Sequence, residues 1–245
     1  MSKEILINDF ATRSFRDVAD YDYIAARMAY RARLVPQFLW SSLQALEKYL
    51  KCILLLNRIR STKATHSLEV LLERFKEQDR FELRLRQPSR DFINHLDTYG
   101  RFRYLETPFY IKGLEIMKLD MVVWEIRRYC RVLDYEIKLL HGEKKQMLDI
   151  EIQAIEQSET KAPQFFSISG GALEKIIKDK EHPAREALLW QNAFFGVRAR
   201  KTVRLSHYSH STNSPLSLHP EILDDVLEYI YLPKDVISAC RSEMK

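Results

Sequence analysis

The chain has 245 residues, of which 46% are hydrophobic and 30% are charged, and this is enough to bury a large core. Six glycines and eight prolines are few for this length, which argues against a turn-rich all-β fold. Lysine and arginine exceed aspartate and glutamate by 39 to 34, and this mild positive charge permits a polyanionic partner without requiring one.

Helices are predicted throughout the first half of the chain. One is expected over residues 20–34 and a second over residues 36–57, because the proline at position 36 interrupts the helical pattern. Shorter helices are predicted over residues 67–78 and 89–99, the latter with Gly100 as its C-terminal cap. Apolar residues at alternating steps of four and three form a seam along the second helix. This seam consists of Leu39, Leu43, Leu46, Leu50 and Ile53.

A long fifth helix is predicted after a loop at residues 101–108. Its apolar pattern covers residues 111–140, and His141 and Gly142 follow as its end. Residues 1–142 are therefore predicted to form an all-α antiparallel bundle of five helices with short connections. The side chains of the fifth helix that are expected to face inward are Val122, Ile126, Tyr129, Leu133, Ile137 and Leu140.

Residues 143–245 form a C-terminal extension that is predicted to be mostly helical, with a basic segment and a polar loop. The chain shows no internal repeat. The elements expected in the extension are an exposed helix or linker over residues 143–162, helices over residues 172–180 and 183–195, a small strand over residues 201–205, a mobile loop over residues 206–219, and two helices opened by Pro220 and Pro233.

The three cysteines are isolated, which favours a reducing compartment. Cys52 and Cys130 fall in apolar helical patterns and are predicted to be buried free thiols; the third is Cys240. The first nine residues lack a basic start followed by a long apolar run, and the apolar run at residues 52–56 is too short to span a bilayer. These features predict a cytoplasmic protein without a signal peptide or membrane contact.

Arg90 and His95 stand five residues apart on the helix that follows Pro88. The arginine lies near a helix N-terminus, which favours anions, and histidine moves protons near neutral pH. A fixed cation and a proton carrier without a metal cluster suit the cleavage of RNA, whose 2′-OH is a built-in nucleophile. The alternative is a surface salt bridge and a histidine packed between helices, because this spacing alone often occurs by chance.

Four motifs in order resemble those of the HEPN (higher eukaryote and prokaryote nucleotide-binding) domain family. Residues 44–51 (QALEKYLK) resemble the family stretch Q-A-x-E-K-x-x-K, and residues 65–72 (THSLEVLL) resemble the start of the helix that follows. The spacing Arg90-x4-His95 resembles the signature of HEPN ribonucleases, and residues 101–104 (RFRY) resemble the aromatic and basic segment after it. The resemblance covers about residues 15–142, and residues 143–245 resemble no family.

The resemblance implies a helical bundle that dimerises. In active members, Arg/His pairs from two chains face each other and form one metal-independent ribonuclease site, which implies that Arg90 and His95 are catalytic. Such proteins serve as toxins or in defence against phage, so an antitoxin or another partner subunit is implied. The chain departs from the family pattern at Asp91, where active members often carry asparagine, whereas Asn94 directly precedes His95.

Helix geometry agrees with a site shared between two chains. Residues five apart differ by about 140° around a helix, so a two-fold dimer is expected to supply the missing group. His95 would move the proton of the 2′-OH or of the leaving 5′-oxygen, and Arg90 would hold the phosphorane oxygens. Asp91 shares a face with His95 and is predicted either to orient the imidazole and raise its pKa or to stabilise the helix dipole.

Aromatic and basic residues beside this site are candidates for contacts with single-stranded RNA. They are Tyr99, Arg101, Arg103 and Tyr104. The alternative for the tyrosines is a half-buried position at a helix junction. The densest basic cluster of the chain lies in the extension and is predicted either to bind RNA phosphates or to form a solvated strand edge. It consists of Arg198, Arg200, Lys201 and Arg204.

Two further groups of polar residues have alternative interpretations. The first either lines a nucleotide pocket or forms a solvated or dimer-facing stripe; the stripe is favoured for Glu47 and Lys51, while Lys48 stays open. This group consists of Gln44, Glu47, Lys48 and Lys51.

Three histidines are interpreted as solvated loop residues rather than zinc ligands, because no cysteine or nearby carboxylate completes a site. They are His207, His210 and His219. No metal and no cofactor is predicted.

The leading hypothesis is a homodimeric, metal-independent endoribonuclease in a toxin–antitoxin or anti-phage defence setting, with RNA as its substrate. The alternative is a non-catalytic HEPN module that binds a nucleotide or a protein such as a nucleotidyltransferase subunit. A third interpretation makes the extension a nucleic-acid-binding surface, with Arg198, Arg200 and Arg204 as its contacts, while the bundle only dimerises.

Overall fold

A computed structural model of the chain describes residues 2–61, 66–77, 81–100, 105–200, 202–205 and 208–243. Its architecture is all-α with small strands, as predicted. The first helices are α1 (Lys3–Phe10), α2 (Asp17–Arg31), α3 (Val35–Leu56), α4 (Leu68–Glu77), α5 (Gln87–Tyr99) and α6 (Glu115–Arg127), and a π-helical segment (Ala11–Arg16) joins α1 to α2. The later helices are α7 (Leu148–Ser158), α8 (Ala172–Lys178), α9 (Arg185–Leu189), α10 (Pro215–Leu218), α11 (Leu223–Leu227) and α12 (Lys234–Glu243).

The strands form two short antiparallel ribbons. One pairs β1 (Phe109–Ile111) with β4 (His210–Thr212), and the other pairs β2 (Glu136–Lys138) with β3 (Lys144–Gln146). Single turns of 3₁₀-helix occur at Pro163–Phe165 and Pro220–Ile222. Within the described ranges, no helix is long and apolar enough to cross a lipid bilayer.

The hairpin of α2 and α3 is the centre of the bundle. Every residue of the predicted seam on α3 is at most 2% exposed, which confirms the periodicity. A proline occupies the first turn of α3, where its missing N–H costs nothing. Helices α4, α5 and α6 pack against α3, and Cys52 and Cys130 are buried free thiols as predicted.

The same core continues into the C-terminal extension. Ile155 on α7, Leu173 on α8 and Leu188 on α9 are fully buried against the bundle. Helix α7 is therefore not simply the exposed helix or linker that the sequence suggested. A separate small cluster joins the last helices; its members are Leu216, Leu223, Leu232, Val236 and Cys240. The division of the chain at residue 142 stays a prediction.

A buried arginine on α2 ties the extension to the bundle. Arg27 pairs with Asp120 on α6 and donates to the carbonyl oxygens of Ala187, at 3.0 Å, and of Trp190. The side chains of both Arg27 and Asp120 are at most 1% exposed. Removing either would leave an uncompensated charge in the interior, so this pair fixes how α9 lies on α2.

A second buried arginine extends this arrangement from α6. Arg127 pairs with Asp20 on α2 and with Glu174 on α8, each at 2.7 Å. The hydroxyl of Tyr49 on α3 also donates to Asp20, at 2.6 Å. The sequence analysis missed both arginines, because charged residues of an amphipathic helix are expected on its solvent face.

The long helix predicted over residues 111–140 is wrong at both ends. Leu114 has a φ of 71°, a left-handed conformation that cannot continue a helix, so α6 starts only after it. Beyond the end of α6, the backbone N–H of Leu133 donates to the Asn57 side chain at 3.0 Å. A distant side chain therefore takes the place of the helical hydrogen bond.

The chain after this point forms the β2–β3 hairpin instead of the end of the predicted helix. Gly142 lies in the hairpin turn with a φ of +83°, a conformation that glycine adopts without strain. Leu140, which was expected to face inward, lies in the same turn and is fully exposed. The His141-Gly142 signal was therefore a turn signal and not a helix end.

Three other predictions in the extension also differ from the structure. Residues 202–205 do not form the predicted strand. A strand does form further along, where β4 lies inside the expected mobile loop over residues 206–219, because it pairs with the distant β1. The helix expected over residues 183–195 reduces to α9, because the Asn192 side chain accepts two backbone N–H groups at 2.9 Å and holds a turn there. The last two helices do follow their prolines.

Candidate functional site

Helix α5 positions the Arg/His pair. Phe92, Ile93 and Leu96 are buried and fix one face of α5 against α3 and α6. Gly100 ends the helix with a φ of −73°, so it is not a left-handed cap. Glycine is needed there because a Cβ would lie 2.8 Å from the carbonyl oxygen of Leu96 and 3.1 Å from that of Leu39.

The opposite face of α5 carries an exposed polar row, which we name the α5 stripe. At about 100° per residue, Arg90 lies on one flank of the stripe and His95 on the other. Their surroundings agree, because Arg90 contacts the segment before α5 whereas His95 contacts β1. Within one chain the two side chains therefore do not meet. The α5 stripe consists of Gln87, Asp91, Asn94 and Thr98.

Arg90 is held loosely. Its Nε donates to the Leu85 carbonyl oxygen at 3.3 Å, and its Nη2 lies 3.7 Å from the Glu82 carboxylate. The side chain remains 38% exposed and borders two cavities of about 280 and 290 Å³. An exposed ion pair of this length contributes little to stability, so the guanidinium is available to an anion.

The arginines that precede Arg90 are compensated by carboxylates. Arg84 pairs with Glu156 at 2.7 Å, and Arg86 lies 3.4 Å from Glu125. These pairs reduce the positive potential that three neighbouring arginines would otherwise create. The described residues of one chain therefore do not form a strongly positive groove beside α5.

His95 lies among aromatic rings. Its ring centroid is 4.9 Å from that of Tyr99, 5.5 Å from that of Tyr110 and 6.3 Å from that of Phe92. Burial lowers the pKa of His95 to about 4, and the positive charge of Lys118 adds to this effect. The buried Nε2 has no hydrogen-bond partner in the described part of the chain. The imidazole is therefore neutral at pH 7 and is able to accept a proton.

The predicted role of Asp91 in raising the pKa of His95 is wrong. The Asp91 carboxylate faces solvent and accepts a hydrogen bond from Gln87 Nε2 at 2.7 Å, and the pKa of His95 is lowered. Tyr99 is half-buried against His95 and Tyr110, and this burial raises the pKa of its hydroxyl. The structure thus supports the interpretation of Tyr99 as an aromatic residue at a helix junction.

A carboxylate on α5 that the sequence analysis missed connects α5 to α4. Asp97 accepts hydrogen bonds from the hydroxyl of Ser67 at 2.9 Å and from the backbone N–H groups of Leu68 and Glu69 at 2.8 and 3.0 Å. It thereby caps the N-terminus of α4. Capping residues usually lie directly before the helix that they cap. Asp97 lies some thirty residues from the start of α4, so no local sequence pattern indicates its role.

Asn94 strengthens the same contact between the two helices. In the orientation that satisfies both atoms of its amide, the nitrogen donates to the Glu69 carboxylate at 2.8 Å and to the Arg90 carbonyl oxygen at 3.3 Å. A cavity of about 500 Å³ between α4 and α5 has Glu69 and Asp97 on its wall. These carboxylates disfavour phosphate on the α4 side of the stripe.

The motif on α3 is occupied by structural ion pairs. Lys48 pairs with Asp22 on α2 at 2.5 Å, and Lys51 pairs with Glu47 at 2.6 Å. Glu47 is buried and also lies 3.1 Å from His66 Nδ1. Lys48, whose role the sequence left open, thus holds α2 to α3.

The basic cluster of the extension is only partly free. Arg198 and Arg204 are exposed, while Arg200 lies 3.4 Å from the carbonyl oxygens of Leu189 and Asn192. His210 and His219 are exposed, in agreement with their interpretation as solvated. Five residues of the predicted sites lie outside the described ranges, and their roles stay predictions; they are Arg101, Arg103, Tyr104, Lys201 and His207.

Comparison with known proteins supports the family resemblance. Residues 12–121 match the family model of the HEPN domain. Neither the search of curated proteins nor the search of solved structures gave a match. The matched range includes α2 to α5, the first half of α6 and both members of the Arg/His pair. Over residues 12–121, the chain is therefore similar to a HEPN domain, which is a helical fold.

Proposed function

We propose that this protein is a homodimeric, metal-independent endoribonuclease of the HEPN type. The observation that carries the proposal is the exposed α5 stripe with Arg90 on one flank and His95 on the other. Two such helices related by a two-fold axis would place Arg90 close to the partner's His95. The stripe is polar and open, as a surface that receives RNA must be.

His95 would act as the general base in this reaction. Its ring is neutral at pH 7 because burial holds its pKa at about 4. The imidazole would take the proton of the 2′-OH while the 2′-oxygen attacks phosphorus. The resulting imidazolium would return this proton to the 5′-oxygen as the bond from phosphorus to that oxygen breaks. The products are a 2′,3′-cyclic phosphate and a 5′-hydroxyl.

Arg90 would stabilise the charge that develops on the two non-bridging phosphate oxygens. A guanidinium presents parallel N–H groups that match such a pair of oxygens, and this interaction strengthens as the phosphorane forms. To reach the phosphate, Arg90 must leave Glu82, which costs little because that contact is long and partly exposed.

The proposal includes the setting and the further contacts expected from the sequence. A cytoplasmic ribonuclease of this kind acts as a toxin or in anti-phage defence, and an antitoxin that covered the α5 stripe would silence it. Arg198, Arg200 and Arg204 are the described residues proposed to contact RNA outside the reacting phosphate.

The test is cleavage of labelled total RNA and tRNA in excess EDTA. We expect wild type to cleave, and Arg90→Ala and His95→Phe to lose about 100-fold or more of the rate. Phenylalanine keeps the ring contacts of His95 but carries no base. The matched controls are Arg13→Ala and His219→Ala, which remove exposed side chains away from α5 and should cleave as wild type does. Full cleavage by His95→Phe, or none by wild type, would contradict the proposal.

A second candidate function is a non-catalytic HEPN module, such as the partner of a nucleotidyltransferase. The enclosure of His95 by Tyr99 and Tyr110 favours it, because a ring packed in this way also serves as a core residue. This candidate predicts that the folded wild type and His95→Phe bind a partner equally and that neither cleaves RNA.

A further inference from the structure

A half-open cleft lies in the C-terminal extension, outside the residues that match the HEPN family model. It lies between the 3₁₀ turn at Pro163–Phe165, α8 and the chain that follows α9. Its volume is about 400 Å³, which is within the range of small-molecule sites. None of the residues that line it belongs to residues 12–121, so the HEPN match assigns it no role.

Two of the three phenylalanine rings that line the cleft are held by residues outside it. Phe166 has the Arg131 guanidinium over its ring at 5.9 Å, and Phe194 packs against Trp124 with ring centroids 6.0 Å apart. Rings that are already fixed lose little conformational entropy when a ligand packs on them. This wall therefore suits a flat ring of about the size of a nucleobase.

The same cleft has a cationic rim. Lys178, Lys180 and Arg185 line it, and none of the three has a carboxylate partner within the described ranges. The Nε of Arg185 donates to the Ile177 carbonyl oxygen at 3.0 Å, which fixes this cation at the rim. Unpaired cations around a concave surface attract an anion, and lysine is a common ligand of phosphate.

The carboxylate in the lining does not cancel this positive charge. Glu174 receives two hydrogen bonds from Arg127, both at 2.7 Å. Although burial opposes ionisation, these bonds and the charge of Arg127 hold the pKa of Glu174 below its usual value. The described lining therefore has three cations against one carboxylate, and that carboxylate is held by Arg127 from the side of the bundle.

We propose that this cleft binds a nucleoside phosphate. The base would pack on Phe166 and Phe194, and the phosphate would lie between Lys178, Lys180 and Arg185. A cleft of about 400 Å³ accommodates a nucleoside monophosphate. This site is independent of the proposed ribonuclease activity, because it shares no residue with the α5 stripe or its flanks.

The cleft also touches the contacts that hold the extension to the bundle. Glu174 belongs to its lining, and Arg127 connects Glu174 to Asp20 on α2. A ligand that binds only the folded arrangement stabilises it according to its concentration. Binding is therefore expected to raise the thermal unfolding midpoint of the whole protein.

The test is isothermal titration calorimetry of the full chain with AMP, GMP, CMP and UMP, each measured separately, and with adenosine and inorganic phosphate. We expect at least one nucleotide to bind at least tenfold more tightly than either adenosine or phosphate. The double variant Lys178→Ala/Lys180→Ala should weaken that nucleotide at least tenfold. Lys175→Ala is the matched control, because Lys175 is exposed on α8 but does not line the cleft, and it should bind as wild type does.

Three outcomes would overturn the proposal. They are the absence of nucleotide binding at millimolar concentration, equal affinity of inorganic phosphate and the nucleotides, and unchanged affinity in the double lysine variant. Both lysines are exposed, so this variant is expected to fold, and its thermal midpoint without ligand checks that it does. Phe194→Ala should weaken the nucleotide without weakening phosphate, and the reverse result would place the base elsewhere.

Discussion

Replacing His95 by phenylalanine should change how the stability of the protein depends on pH. The pKa of His95 is about 4 in the folded chain, below its ordinary value of about 6.5. Below pH 6.5 the unfolded chain therefore binds a proton that the folded chain does not, and the free energy of unfolding falls as the pH falls. Near pH 8 both states are almost entirely neutral at this residue, and its contribution to the pH dependence is negligible.

The size of this effect follows from the two pKa values. Relative to pH 8, wild type should lose about 1.4 kcal/mol at pH 5.5 and about 2.5 kcal/mol at pH 4.5 through His95. These are upper values, because the ring is only half-buried and solvent screens part of the penalty. Phenylalanine keeps the packing against Tyr99 and Tyr110 but does not titrate, so the variant should lack this loss.

The assay is urea unfolding of wild type and His95→Phe from pH 4.5 to pH 8. The measured quantity is the difference between the free energies of unfolding of the two proteins. Both contain the same buried carboxylates, such as Glu115 and Glu125, so the contribution of these groups to the pH dependence cancels in this difference. His219→Phe is the control for replacing an exposed imidazole by phenylalanine. If the difference between wild type and His95→Phe does not change with pH over this range, His95 is not held neutral by burial.

Three further predictions concern the contacts that hold the site and the fold. Asp97→Ala should cost about 1–2 kcal/mol of unfolding free energy, because it removes the cap of α4. The control Asp91→Ala should change the free energy of unfolding by no more than about 0.5 kcal/mol. Urea unfolding of both variants measures these values. Gly100→Ala should lower the thermal midpoint and cost about 1–3 kcal/mol, because the new methyl group would meet two carbonyl oxygens, and an unchanged midpoint would contradict this. Asp120→Ala should cost about 3–5 kcal/mol, because it leaves Arg27 charged and buried; a loss below 1 kcal/mol by denaturant unfolding would show that the pair is not buried as described.

Local patterns were sufficient to predict the features that depend on one segment of the chain. The seam of α3 repeats within a single helix, and its burial was predicted residue by residue. The helix that carries Arg90 and His95 also follows from its own sequence, since Pro88 marks its first turn and the apolar residues fall on one face. The opposite flanks of the two side chains follow from their spacing alone.

Contacts between distant segments could not be predicted in the same way. The end of α6 depends on Asn57, which accepts the Leu133 N–H from another part of the chain. The pKa of His95 depends on burial near Tyr110 and on Lys118, neither of which belongs to its helix. The buried arginines Arg27 and Arg127 look like surface residues in sequence, because their partners come from three other helices.

The most direct test of the proposed mechanism is whether cleavage requires the 2′-OH of the substrate. Once a cleavage position is mapped, wild type is given two oligonucleotides that differ only by a 2′-deoxy sugar at that position, both in excess EDTA. The proposed mechanism predicts that the RNA is cut to a 2′,3′-cyclic phosphate and that the deoxy substrate is not cut. Cleavage of both at similar rates would contradict it, because a substrate without the internal nucleophile should then be inert.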